Sequence, residues 1–142
     1  MSRRDPKRLR RLLHLRRRQE ETARRQLADS LRRAAEISDE VRVRTDALES
    51  ALAGRRTPEQ RRHLDVIVEI ATPAILAAQA AEASALGAVA ELRREWNKSA
   101  IRLKGMERLE ERAREAELER IAEDEMRRID DALMGRLRGD TP

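Results

Sequence analysis

The stretch Gly54-Arg55-Arg56-Thr57-Pro58-Glu59-Gln60 decides the fold, because it stops one helical pattern and starts another. Glycine just past a periodic apolar run is a helix stop. Thr57 then offers a hydroxyl cap, Pro58 suits the first helical position, and Gln60 stands three residues after the cap, where its side chain can reach back. The reading is therefore a turn at 54–57 between two helices.

Upstream of this turn, apolar residues alternate at four and three. Leu9, Leu13, Arg16, Glu20, Ala23, Leu27, Ser30, Ala34, Ile37, Val41, Arg44, Leu48 and Ala51 form a seam in which nine of thirteen positions are apolar. That is the stripe of a coiled coil about six heptads long. Asp5-Pro6 supplies a start signal, so helix 1 is expected over about 6–53. Downstream, Val89, Leu92, Trp96, Ser99, Leu103 and Met106 keep the same alternation; Leu109, Ala113 and Ala116 then arrive one residue early. Past Leu118 the apolar set Ala122, Met126, Ile129 and Leu133 belongs to another phase, and such slips rewind or end a coiled coil. Thr72-Pro73 either caps a fresh helix or kinks a continuing one, and the kink is favoured. Helix 2 is expected over about 58–136, with a tail at 137–142.

The expected fold is all-α: one antiparallel two-helix coiled-coil hairpin with a longer second helix kinked near Pro73. With the bend centred between Arg55 and Arg56, Leu9 should lie near Arg102 and Leu13 near Lys98, leaving the end of helix 2 without a partner from helix 1. Trp96, at a seam position, should pack against Leu13 or Leu15. The frequent Ala and Ser in the seam allow close approach but bury little apolar area per layer.

Composition supports this and excludes much else. Of 142 residues 42% are charged, Trp96 is the sole aromatic, and there is no cysteine. Such a chain lacks the material of a globular enzyme core, a disulfide framework or a thiolate metal site. His14 and His63 have no serine or carboxylate constellation around them, and no Gly-rich phosphate loop occurs, so neither catalysis, a metal nor any other cofactor is expected. No apolar run reaches the roughly 20 residues of a membrane span. The alanine-rich stretch 74–90 is broken by Gln79, Glu82, Ser84 and Gly87.

The net charge of +5 conceals an asymmetry. Residues 1–18 hold nine Arg or Lys against Asp5, a net +8, while residues 107–131 hold eleven Asp or Glu against six Arg, a net −5. Both segments are most simply solvated surface, the acidic one laced with i,i+4 pairs such as Glu110–Arg114.

Two patterns carry a resemblance. Leu9-x-x-Leu12-Leu13-x-Leu15-Arg16 precedes Glu20-Glu21-x-Ala23-Arg24 and Leu27-Ala28. Later, Trp96, Lys104 and Glu107-Arg108-Leu109-Glu110-Glu111-Arg112 are followed by Glu125-x-x-x-Ile129-Asp130-Asp131-Ala132. Over essentially its whole length the chain resembles the flagellar FliJ family and the similar stalk proteins of virulence type III secretion systems. Asp131 and Ile129 stand where that family usually has Glu and Leu. The aromatic residues that family members often display on mid-hairpin docking surfaces, which correspond to the regions around Glu40–Ala51 and Ile67–Ala78, are absent.

The resemblance implies a non-enzymatic central stalk of the flagellar protein export apparatus. Its implied partners are the hexameric export ATPase, whose assembly and activity it promotes, the export gate protein and substrate chaperones, with no small-molecule substrate. The implied location is cytoplasmic, with peripheral association at the inner face of the membrane only through the export machinery. Candidate partner-binding residues are Arg8, Arg11, Arg16 and Arg17 near the N-terminus, and Lys104, Glu107, Arg112, Glu125, Asp130 and Asp131 on helix 2. The alternative is a basic coiled coil that binds nucleic acid or an acidic scaffold, although no reader motif or interleaved aromatics accompany the basic run. A third reading is a generic homodimerising coiled coil.

Overall fold

A computed structural model describes residues 6–139. They form two helices packed against each other, α1 (Pro6–Leu52) and α2 (Pro58–Gly139), with no strand among the described residues. The fold is the expected all-α helical hairpin. Asp5, the expected cap of α1, lies outside the described residues.

The turn is built as its residues dictate. Gly54 adopts φ 110°, a left-handed conformation that closes the end of α1 at little cost only without a Cβ. The Ala53 amide still donates to the Glu49 carbonyl at 3.1 Å. Arg56 folds back and donates from its guanidinium to the carbonyls of Ala51 and Ala53, two acceptors left open by the helix end. At the start of α2 the cap is reciprocal: the Gln60 amide donates to Thr57 Oγ1 at 3.3 Å, and the Thr57 amide to Gln60 Oε1 at 3.0 Å.

α2 runs unbroken through Pro73 and continues to Gly139, three residues beyond the expected end. Pro73 is exposed, so the carbonyl of Glu69 that loses its helical donor is on a helix face that water reaches. At the far end Arg136 and Arg138 complement the helix dipole in its last turn, and Gly135 is too isolated to stop it.

The described residues divide into two compact units, one spanning 19–99 and the other joining the start of α1, up to Arg18, with α2 from Ala100. In the first, Leu27, Ala34 and Val89 form the buried cluster, with Ala85, Leu92 and Trp96 packed against it. On α2 the half-buried or buried positions in this unit are led by Leu64, Val68, Ala71, Ile75, Ala78, Glu82, Ala85, Val89, Leu92 and Trp96, a four-three alternation that passes straight through Pro73. In the second unit Leu9 and Leu13 are the buried residues.

The pairing register differs from the expected one. Ala51 and Leu48 share a groove with Ile67, Ala71, Ala74 and Ile75, and Trp96 bonds to Glu20 rather than sitting in the layer of Leu13 or Leu15. Leu9 lies among Leu109, Ala113 and Ala116, some turns beyond Arg102. The cause is the path of the turn. Ala53, Arg55 and Arg56 run alongside Glu59, His63 and Leu64, so pairing with α1 begins only near Ile67. The unpaired start of α2 is about 14 Å long, a span that the five loop residues can cover when extended.

One expectation about hydropathy is also corrected. An 18-residue window of α2 has mean hydropathy 1.5, apolar enough by length and composition to cross a membrane, with none of it fully buried. Alanine and scattered aliphatic residues raise the average despite the interrupting Gln79 and Glu82. In the fold, part of this apolar middle is used against α1: Ile67, Ala71, Ala74 and Ile75 face Ala47, Leu48 and Ala51 across one groove.

Candidate interaction surface

The candidate residues near the N-terminus are placed by the α1 seam. Leu9 and Leu13 point inward, which leaves Arg8 and Arg17 exposed on the flanks, Arg11 exposed on the outer face, and Arg16, itself at a seam position, half-buried. On α2 Lys104, Glu107 and Arg112 are exposed, with Lys104 and Glu107 one turn apart. Leu9 and Arg10 line a groove with Glu110, Ala113, Arg114, Glu117 and Leu118. Of the basic residues at the start of α1, it is Arg10 that lines this groove, while Arg8 and Arg11 lie on parts of α1 turned further from α2. Glu125, Asp130 and Asp131 are exposed and lie more than three turns further along α2, about 20 to 28 Å from Arg112. The ten residues are thus spread around the outer faces of both helices, seven of them between Arg8 and Arg17 on α1 and between Lys104 and Arg112 on α2, with the three acidic ones further along α2.

Charges here are held by their own helix. Arg114 pairs with Glu110 at 3.3 Å, as its i,i+4 spacing predicts, and Arg120 bridges Glu117 and Asp124. The hydrogen bond to Glu117, followed by that carboxylate's charge, raises the Arg120 guanidinium further above its ordinary range. Exposed i,i+4 pairs contribute only about 0.3–0.5 kcal/mol. Such a surface can exchange partners without unfolding. Among the described residues no group of three His, Asp or Glu is arranged to hold a metal ion.

Two features of the fold were not read from sequence. Trp96 donates its indole N–H to Glu20 Oε1 at 3.0 Å, which explains a carboxylate at a seam position. The two mid-hairpin regions, 40–51 and 67–78, meet around one groove lined by Arg44, Ala47, Leu48, Ala51, Ile67, Ala71, Ala74 and Ile75. Beyond Leu118, large apolar side chains remain exposed on α2: Met126, Ile129, Leu133 and Leu137 are all more than half accessible. The phase slip at Leu118 signalled this exposure, but not its consequence.

Two long helices joined by a capped turn around a thin core of Leu, Ala and Val define a helical-hairpin protein with a charged surface. The chain belongs to the family described as flagellar FliJ protein, whose family model matches residues 6–139 and so covers both helices. No curated protein and no solved structure matches it. Membership makes the chain a component of the flagellar export apparatus, in a family of non-catalytic export components.

Proposed function

We propose that this chain is the central stalk of the export apparatus, binding the hexameric export ATPase ring and promoting its assembly and turnover. The observation that carries the reading is the family match across 6–139, which takes in the hairpin turn and both helices rather than a short coiled-coil segment. Arg8, Arg11, Arg16, Arg17, Lys104, Glu107 and Arg112, spread around both helices, supply the ring contact, and Glu125, Asp130 and Asp131 extend it along α2. Weak, exposed ion pairs suit a contact that must be remade as the ring turns over. The mid-hairpin groove around Leu48 and Ile75 is the docking face for the export gate protein and substrate chaperones, using aliphatic side chains where related sequences use aromatic ones. The chain acts in the cytoplasm and reaches the inner face of the membrane through these partners.

The decisive experiment mixes the purified chain with the export ATPase of the same organism and measures ring formation and ATP hydrolysis. Both should rise. If neither changes while circular dichroism shows a fully helical chain, the stalk reading is wrong.

A further inference from the structure

Pro6, at the start of α1, lies beside Glu117 and Arg120, and α2 continues past it to Gly139, about five more turns. From Leu118, at the edge of the groove shared with Pro6 and Leu9, Ala122, Met126, Ile129, Leu133 and Leu137 continue an apolar row along this segment. Its large members are 52% to 67% exposed, although nothing in the helix itself requires leucine or isoleucine there. Successive members are separated by 4, 4, 3, 4 and 4 residues, so members eleven apart repeat and the row stays on one face of a nearly straight helix. It is not an extension of the seam that faces α1, which passes through Leu103 and Met106 in a different phase.

The row reads the same in both directions. A second copy running antiparallel therefore meets it in register: Met126 opposite Ile129, small Ala122 opposite larger Leu133, and Leu118 opposite Leu137. Ile121 and Met134, 44% and 55% exposed, fall opposite each other by the same symmetry. A twofold axis of this kind is what a closed dimer needs, since each copy offers the same patch.

Charge selects the orientation. Residues 117–126 hold five Asp or Glu and one Arg, a net −4, whereas residues 127–138 hold four Arg and two Asp, a net +2. Antiparallel pairing sets the net −4 half against the net +2 half, bringing Glu119 level with Arg136 and Glu117 level with Arg138 at the two ends, while Asp124 and Glu125 meet Asp131 and Asp130 at the centre. Parallel pairing would set −4 against −4. Flanking charges choose partner and direction in helical pairs in this way. We propose that the Leu118–Leu137 face of α2 is a self-association site, occupied by the same segment of a second copy in antiparallel orientation.

The test uses the full chain in sedimentation equilibrium across the micromolar range, together with a variant carrying Met126→Glu and Ile129→Glu at the centre of the row. The unmodified chain should dimerise. The variant should dissociate about 100-fold or more readily, since pairing would bury unpartnered carboxylates, with its helical dichroism unchanged. Because the chain has no cysteine, single labels at Glu123→Cys or Glu111→Cys report direction by spin–spin distance. Antiparallel pairing predicts about 15 Å between Glu123→Cys labels and about 50 Å between Glu111→Cys labels, whereas parallel pairing predicts equal short distances. A monomer at every concentration, a dimer indifferent to the double substitution, or equal distances at the two positions would each overturn the proposal, the first leaving the row to a different protein.

Discussion

At the scale of single residues, two positions hold the hairpin to one arrangement. Glu20 is one of the polar positions of the seam, half-buried, and accepts the Trp96 indole N–H at 3.0 Å. Glu20→Ala leaves that donor without its partner in a partly shielded layer, which should cost about 1 kcal/mol in denaturant unfolding. Trp96 is the sole aromatic, so its fluorescence follows this layer alone and should shift in the variant. Gly54 is the second position. A Cβ there meets nothing within 4 Å, so the penalty of Gly54→Ala is purely the backbone's: φ 110° is strained for any L side chain. The expected loss is about 1–2 kcal/mol, read as a lower denaturation midpoint with unchanged slope.

At the scale of elements, local chemistry was legible and register was not. The Gly54 stop and the Thr57–Gln60 cap sit where their residue types require, since each is satisfied within one turn of chain. The pairing of α1 with α2 depends instead on the path of residues 53–57, and a seam of repeated Ala and Leu every three or four residues accepts several offsets almost equally well. That is why Glu20, and not Leu13 or Leu15, turned out to be the partner of Trp96. The candidate contact residues were legible only as charged positions on the helix surfaces; which charged residues gather around Leu9 follows from the register and could not precede it. Pro73 offers the element-scale prediction. It interrupts the hydrogen-bond ladder of a helix that nevertheless continues on both sides, and its ring faces outward. Pro73→Ala should restore one backbone bond and relieve the ring's clash with the previous turn, stabilising the chain by about 1–3 kcal/mol. A rise in melting temperature would show it; an unchanged or lower value would mean that the surrounding packing depends on the distortion proline imposes.

At the scale of the whole molecule, the decisive fact is how little is inside. Among the described residues no charged or polar side chain is buried, so the 42% of the chain that is charged forms surface rather than structure. Folding rests on a thin apolar seam, and most of the charge lies on a surface that the fold does not need. The basic start of α1 is the sharpest case, with a net +8 over residues 1–18. Replacing Arg8, Arg11 and Arg17 together by glutamate removes three exposed positive charges and adds three negative ones, a swing of six that leaves Leu9 and Leu13 in place. Helical dichroism should be retained and the melting temperature should move only slightly, because exposed charges contribute about 0–1 kcal/mol each. Binding to the export ATPase should instead weaken tenfold or more, with the difference from the unmodified chain shrinking as salt is raised, since screening over about 8–10 Å erases exposed electrostatics near physiological ionic strength. Undiminished stimulation of ATP turnover by this variant at low salt would move the ring contact away from the start of α1 and onto the acidic group at Glu125, Asp130 and Asp131.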